Sequence, residues 1–146
     1  MRATPGLRAK RPRARPAIAF LLLAVAGCAK QPECLLPSER PMVLAQLFFG
    51  RDIPGRAPLT DMEWSDFAAR VIAREFPDGF TVIDGDGQWR DPGTAAISRE
   101  ATKILLVAAA PSDALGGRLA AIIDAYRRRF DQQSVGLVTS NICAAF

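Results

Sequence analysis

The chain has 146 residues, 49% of them apolar and 23% charged, with 11 Gly, 11 Pro, three Cys and no His. Six of its cations fall between Arg2 and Arg15, ahead of any acid, and subtracting them from the formal net charge of +4 leaves −2, so the remainder lacks the basic footprint of a nucleic-acid binder. Without histidine, Cys/His metal sites and Cys–His nucleophiles are excluded.

Arg2, Arg8, Lys10, Arg11, Arg13 and Arg15 precede an apolar run, Ala17 to Ala26, which closes in Val25-Ala26-Gly27-Cys28. A charged start, an apolar middle and a small-residue end make an export signal, and the run is too short to cross roughly 30 Å of hydrocarbon as a permanent helix. The Val-Ala-Gly-Cys ending resembles the lipobox of bacterial lipoproteins. That resemblance implies that residues 1–27 are a signal peptide and that Cys28 is the lipidation site, carrying diacylglyceryl and acyl groups such as palmitate. The mature protein is then expected to be a membrane-anchored lipoprotein of the envelope, facing the periplasm. Ala29, in place of aspartate, suits delivery to the outer membrane.

With Cys28 lipidated, Cys34 and Cys143 remain, and an oxidising compartment favours a disulfide between them. Residues 28–41 carry three prolines and no period, as expected of a tether. The folded domain is expected over 42–146. Strand one is predicted over 42–49, with Val43, Ala45, Leu47 and Phe49 on its core face. Thr60-Asp61-Met62-Glu63 reads as a capping box, with Leu59 and Trp64 at staple positions. Trp64, Phe67, Ala68, Val71 and Ile72 then form the stripe of a first helix that ends before Pro77.

A second strand starts at Phe80, with a bulge or kink expected at Asp84-Gly85-Asp86-Gly87, and resumes through Arg90. Asp91-Pro92-Gly93 turns the chain into a third strand from about Ile97 to Ala108. Pro111-Ser112-Asp113 is expected to cap a second helix, whose stripe is Leu115, Leu119, Ile122, Ile123, Tyr126 and Phe130. Arg127-Arg128-Arg129 reads as a solvated face. A last strand is expected over 134–146, with a bulge where its alternation shifts.

The order strand, helix, strand, strand, helix, strand is the ferredoxin-like βαββαβ arrangement: α+β, a four-stranded antiparallel sheet with both helices on one face. In that topology the first and last strands are antiparallel neighbours, which would bring Cys34 and Cys143 together. The other sheet face is left open, carrying Leu44, Phe48 and one of Leu105 and Leu106.

The run Phe76-Pro-Asp-Gly-Phe-Thr-Val-Ile-Asp-Gly-Asp-Gly-Gln-Trp-Arg90, with Ile97-Ser-Arg-Glu-Ala-Thr-Lys103, Leu47-Phe-Phe-Gly50, Tyr126-Arg-Arg-Arg-Phe130 and Gln133-Ser-Val135, resembles the bacterial family called domain of unknown function 3574. Ala101 stands where that family usually has proline. The resemblance implies an exported single-domain protein and no particular chemistry.

The densest polar grouping is Asp84, Asp86, Gln88, Trp89 and Arg90 opposite Arg99, Glu100 and Lys103. One reading is a ligand site, with Arg90 and Lys103 holding an anion and Trp89 stacking on it. The other is cross-strand pairing that fixes the hairpin register. Asp84 to Gly87 is an incomplete calcium loop, with Ala95 where the bidentate glutamate would stand, so no metal is expected. No catalytic residue and no cofactor are assigned. Binding of a partner or small ligand through the 84–103 hairpin and the open face is the favoured function. The alternatives are a cofactor-independent enzyme at the same site and a homodimer paired through its open faces.

Overall fold

A computed structural model describes residues 33–90 and 93–146. The expected signal peptide, the expected lipidation site Cys28, the first part of the expected tether, and Asp91 and Pro92, where a turn is expected, lie outside them. Among the described residues no helix is long and apolar enough to cross a membrane.

Four strands, β1 (Arg40–Gly50), β2 (Thr81–Arg90), β3 (Ile97–Ala109) and β4 (Gly136–Ala144), form one sheet in the order β2-β3-β1-β4, every neighbouring pair antiparallel. This is the ferredoxin-like arrangement expected from the element order. Between β1 and β2 runs α1 (Asp61–Phe67), continued by a π-helical turn over Ala68–Ile72 and by α2 (Ala73–Glu75); α3 (Leu115–Phe130) joins β3 to β4.

The period-2 pattern of β1 decides which face is covered. Ala45, Leu47 and Phe49 are buried under the helices with Leu105 and Val107 of β3, their register partners including the pair Leu47 and Leu105. Leu44, Phe48 and Leu106 point to the other face. Trp64, Phe67 and Ile72 come down from the first helix, and Leu115, Leu119, Ile122, Tyr126 and Phe130 from α3. Phe49 meets Trp64 and Tyr126 edge to face, and Phe67 meets Tyr126 and Phe130 in the same way, the Phe49 and Tyr126 centroids being 4.7 Å apart. The Tyr126 hydroxyl, deep in this cluster, donates to the Gly50 carbonyl at 2.8 Å, so a core aromatic holds the end of β1 in place.

The capping box forms as its sequence dictates. Glu63 N–H donates to Thr60 Oγ1 at 3.2 Å, and Thr60 N–H to Glu63 Oε2 at 2.9 Å. Leu59 and Trp64 at the staple positions are both buried. Cys34 and Cys143 form the disulfide, with Cα atoms 5.5 Å apart, because β4 pairs with β1 and Cys143 faces Pro41.

Local expectations fail at four places. Pairing of β2 with β3 runs unbroken from Thr81 to Arg90, and that of β1 with β4 from Arg40 to Gly136, so neither expected bulge exists. The shifting alternation in β4 reflects an edge strand: Leu137 and Val138 lie on opposite faces and both are exposed, so neither marks a phase. No side chain caps α3: its N-cap is Ala114, and Leu115 N–H bonds back to the Ser112 carbonyl. The tether is fastened from Cys34 onward, with a turn from Glu39 N–H to Leu36 O at 3.0 Å, and β1 begins at Arg40 rather than at residue 42.

Candidate functional site

Because β2 is regular, its side chains alternate strictly, and the polar cluster expected on the hairpin divides between two faces. Asp84, Asp86, Gln88 and Arg90 share the helix-side face with Arg99 and Lys103, while Trp89 and Glu100 stand on the open face.

On the helix side the contacts are those of register and clamping. Arg99 Nε donates to Gln88 Oε1 at 2.8 Å, directly across the ladder. Lys103 buries its stem and carries its ammonium to the rim, where it meets Asp61 at 2.9 Å and its cross-strand partner Asp84. Burial opposes the Lys103 charge, but the hydrogen bonds its ammonium donates to Asp84 and Asp61, with the attraction of their charges, outweigh it and hold its pKa above the ordinary value. Asp61 is correspondingly held low, first by its hydrogen bond to Lys103. The clamp ties the start of α1 to β2 and β3. Lys103 is thereby committed, and Arg90 points to the same side, so neither is placed to hold an anion against Trp89. That expectation is corrected by the face each residue occupies.

On the open face, at the Gly50 end of β1, lies a cleft of about 390 Å³. Its floor is Phe48 and Gly50 of β1, Gly87 and Trp89 of β2, and Ser98, Glu100 and Thr102 of β3; Asp52, Asp131 and Gln132 stand on its rim. Close approach is made possible by glycine: a Cβ at Gly50 would lie 2.6 Å from the Glu100 carboxylate oxygens, and one at Gly87 would lie 2.7 Å from Thr102 Oγ1. Two loops build the rim. Arg51 fastens the first, its backbone N–H donating to Ala101 O at 3.0 Å and its guanidinium to Leu59 O at 2.7 Å. The second begins at Asp131, whose left-handed conformation (φ 50°) ends α3; Gln132 Nε2 then donates to the Asp52 carbonyl and links the two loops.

Three carboxylates, of Asp52, Glu100 and Asp131, line the cleft together with the Trp89 and Phe48 rings, and none of its described lining residues is Lys or Arg. Burial raises the Glu100 pKa above the ordinary carboxylate value; the Asp52 N–H, which donates to Glu100 Oε2 at 3.3 Å, partly offsets this, and the Asp52 charge adds to it. Such a cleft attracts positive charge and offers it an aromatic face. Sequence reasoning found Trp89 and Glu100 but missed Asp52, Ser98, Thr102, Asp131 and Gln132; Gln88 borders the cleft while its side chain is turned to the other face. A signal was available: Phe48, Gly50, Gly87, Trp89, Glu100 and Gln133, each from a segment carrying the family resemblance, all line this one cleft. Among the described residues, the one grouping with metal-ligating proximity is Cys34, Glu39 and Cys143, and its two sulfurs are spent on the disulfide.

Fold and cleft together define a ferredoxin-like α+β domain with an acidic, aromatic-lined depression at one end of its open sheet face. The chain belongs to the family described as Protein of unknown function (DUF3574), whose model matches residues 44–146. No curated protein sequence matches it. Among solved structures it is similar to a phage SAM lyase in complex with S-methyl-5′-thioadenosine, at a TM-score of 0.57 and 13% identity over 72% of this chain and 90% of that one. It is also similar to a phage SAM lyase in the apo state, at a TM-score of 0.53 and 13% identity over 80% and 97%. These likenesses are of fold.

Proposed function

We propose that this protein is a lipid-anchored envelope lipoprotein whose domain binds a small organic cation in the cleft above Glu100 and Trp89. The observation that carries the ligand class is the lining of the cleft: three carboxylates and two aromatic rings, with no Lys or Arg among its described residues. A volume of about 390 Å³ falls within the range of small-molecule sites. The export signal, the Val25-Ala26-Gly27-Cys28 ending and a disulfide suited to an oxidising compartment support the address. The phage lyase of similar fold was solved with a small thioether nucleoside, which illustrates that the architecture accommodates ligands of this size.

The raised Glu100 carboxyl favours a second reading, a cofactor-independent enzyme in which Glu100 moves a proton to or from the bound cation.

Thermal-shift and calorimetric titration of the full chain against quaternary ammonium, polyamine and sulfonium compounds, with carboxylates and phosphates as counterparts, tests the binding reading. Cations are expected to raise Tm in the wild type and not in Glu100→Gln. Stabilisation by anions alone would overturn it. Chemical conversion of a bound cation, lost in Glu100→Gln, would select the enzyme.

A further inference from the structure

The end of the sheet opposite the cleft carries a different surface. There β1 begins and β3 ends, and beside them a groove of about 630 Å³ is lined by Met42, Leu44, Phe80, Leu106, Ala108 and Phe146. At this end three apolar side chains are largely or fully exposed: Phe146, which lines the groove, at 101% relative exposure, and Leu35 and Leu36, in the turn that leads into β1, at 89% and 53%. Leu35 and Leu36 follow Cys34 directly, and Cys34 is held against β4 by its disulfide to Cys143. An apolar groove together with exposed apolar side chains at one end of the sheet is the kind of surface that marks a contact site.

The chain itself names the occupant. Between Cys28 and Cys34 there is at most about 20 Å of extended backbone, and the disulfide fixes where that backbone joins the sheet. An acylated Cys28 therefore keeps this end of the domain, and no other, within reach of the bilayer surface. We infer that Leu35, Leu36, Phe146 and the adjoining groove rest in the lipid interface, so that the domain stands upright on the membrane from which it hangs. The inference relies on the lipid-anchor reading of Cys28. Glu33, Glu39 and Asp78 offset Arg40 and Arg118 at this end, so the contact is made by apolar burial and suits zwitterionic lipid. Since β1 rises about 3.3 Å per residue, its Gly50 end, and the cleft with it, is carried roughly 30 Å outward from the bilayer.

The test uses the exported full chain, reconstituted in phosphatidylcholine vesicles with ordinary or brominated acyl chains. A Phe146→Trp reporter is expected to emit blue-shifted light and to lose roughly half of its added intensity or more to the bromines, because interfacial side chains lie within bromine reach. Leu35→Trp serves where the first variant misfolds. Met62→Trp, exposed near the Gly50 end, is expected to remain unquenched. Mass spectrometry of Cys28 on the same sample separates the two claims: an acylated chain with an unquenched reporter overturns upright docking alone, and an unacylated Cys28 overturns the anchor and the docking with it. A blue shift without bromine quenching would mean that protein covers this end, and also overturns the assignment.

Discussion

The carboxylate of Glu100 occupies the space that a side chain at position 50 would need, its two oxygens 2.6 Å from where a Gly50 Cβ would stand. Gly50 itself is held by the Tyr126 hydroxyl on its carbonyl, so the strand cannot retreat to make room. The glutamate, being the far end of a flexible side chain, is what gives way.

Gly50→Ala is therefore expected to separate stability from function. Displacing a flexible carboxylate costs little, about 1 kcal/mol or less, whereas Glu100 leaves its bond to the Asp52 N–H and the affinity for a cation falls about tenfold or more. Denaturant unfolding and calorimetric titration of the same variant check the two halves. A large loss of stability with unchanged affinity would contradict the placement of Glu100.

Protonation of Glu100 sets the pH dependence of binding. Its folded-state pKa is raised above 4.5, first by burial, so the neutral form persists to higher pH in the fold than in the unfolded chain. Two consequences have opposite signs. The stability contributed by this group is present below pH 4.5 and lost as pH rises through the raised value, while affinity for a cation grows over that same window as the carboxylate appears. Glu100→Gln is expected to flatten the affinity profile and to be no less stable than the wild type at neutral pH. Titrations at a series of pH values measure both.

The fold was largely readable from spacing, and the site was not. Odd positions 43 to 49 of β1 and the stripe from Leu115 to Phe130 each have one buried face, and a buried face imposes a period. The order of elements then fixed which strands are neighbours and so joined Cys34 to Cys143. The hairpin resisted because Asp84-Gly85-Asp86-Gly87 has no apolar phase: only an unbroken register tells that Trp89 and Glu100 face one way and Lys103 the other. Asp52 and Asp131 sit in loops, where no period exists, and they reach the cleft through the Gln132 link and the left-handed turn after α3. The missing cap of α3 has the same origin, since Ser112 and Asp113 are good caps by type but the helix starts beyond them.

The disulfide closes a loop of 109 residues, nearly the whole domain. On the chain-entropy account its removal costs about 4 to 5 kcal/mol, which for a domain of this size lowers Tm by roughly 20 °C or more. Scanning calorimetry with and without reductant is expected to show this drop, and Cys34→Ser with Cys143→Ser should match the reduced wild type.

Lys103 is expected to act as a clamp. Lys103→Met keeps the buried stem and loses only the two ion pairs, whose aspartates are about three-quarters exposed and rehydrate, so the cost is about 1 kcal/mol. Lys103→Ala also empties buried volume and is expected to cost more. As the folded-state pKa is raised above 10.5, the contribution is present at lower pH and lost as pH climbs through that raised value, a limb that Lys103→Met should lack in alkaline melts.

The capping box contributes to the acid limb, alongside Asp61 and Asp66, whose pKa values are also lowered. Glu63 is held down to about 2 from 4.5, first by the Thr60 N–H and then by its hydroxyl, so its stabilisation is present above pH 4.5 and disappears as pH falls toward 2. Thr60→Ala, which removes the cap itself, is expected to cost about 1 kcal/mol at neutral pH, and Glu63→Gln should weaken the acid dependence of Tm.

Joining β1 to β4 through Cys34 and Cys143 also determines how the domain bears mechanical load. A pull arriving along the tether meets a covalent bond before it meets any strand, and tension between that attachment and the last residues runs through sulfur instead of through the ladder. Shear that would unzip the sheet in a reduced chain is thus short-circuited in the oxidised one, leaving only the few residues outside the bridge free to stretch.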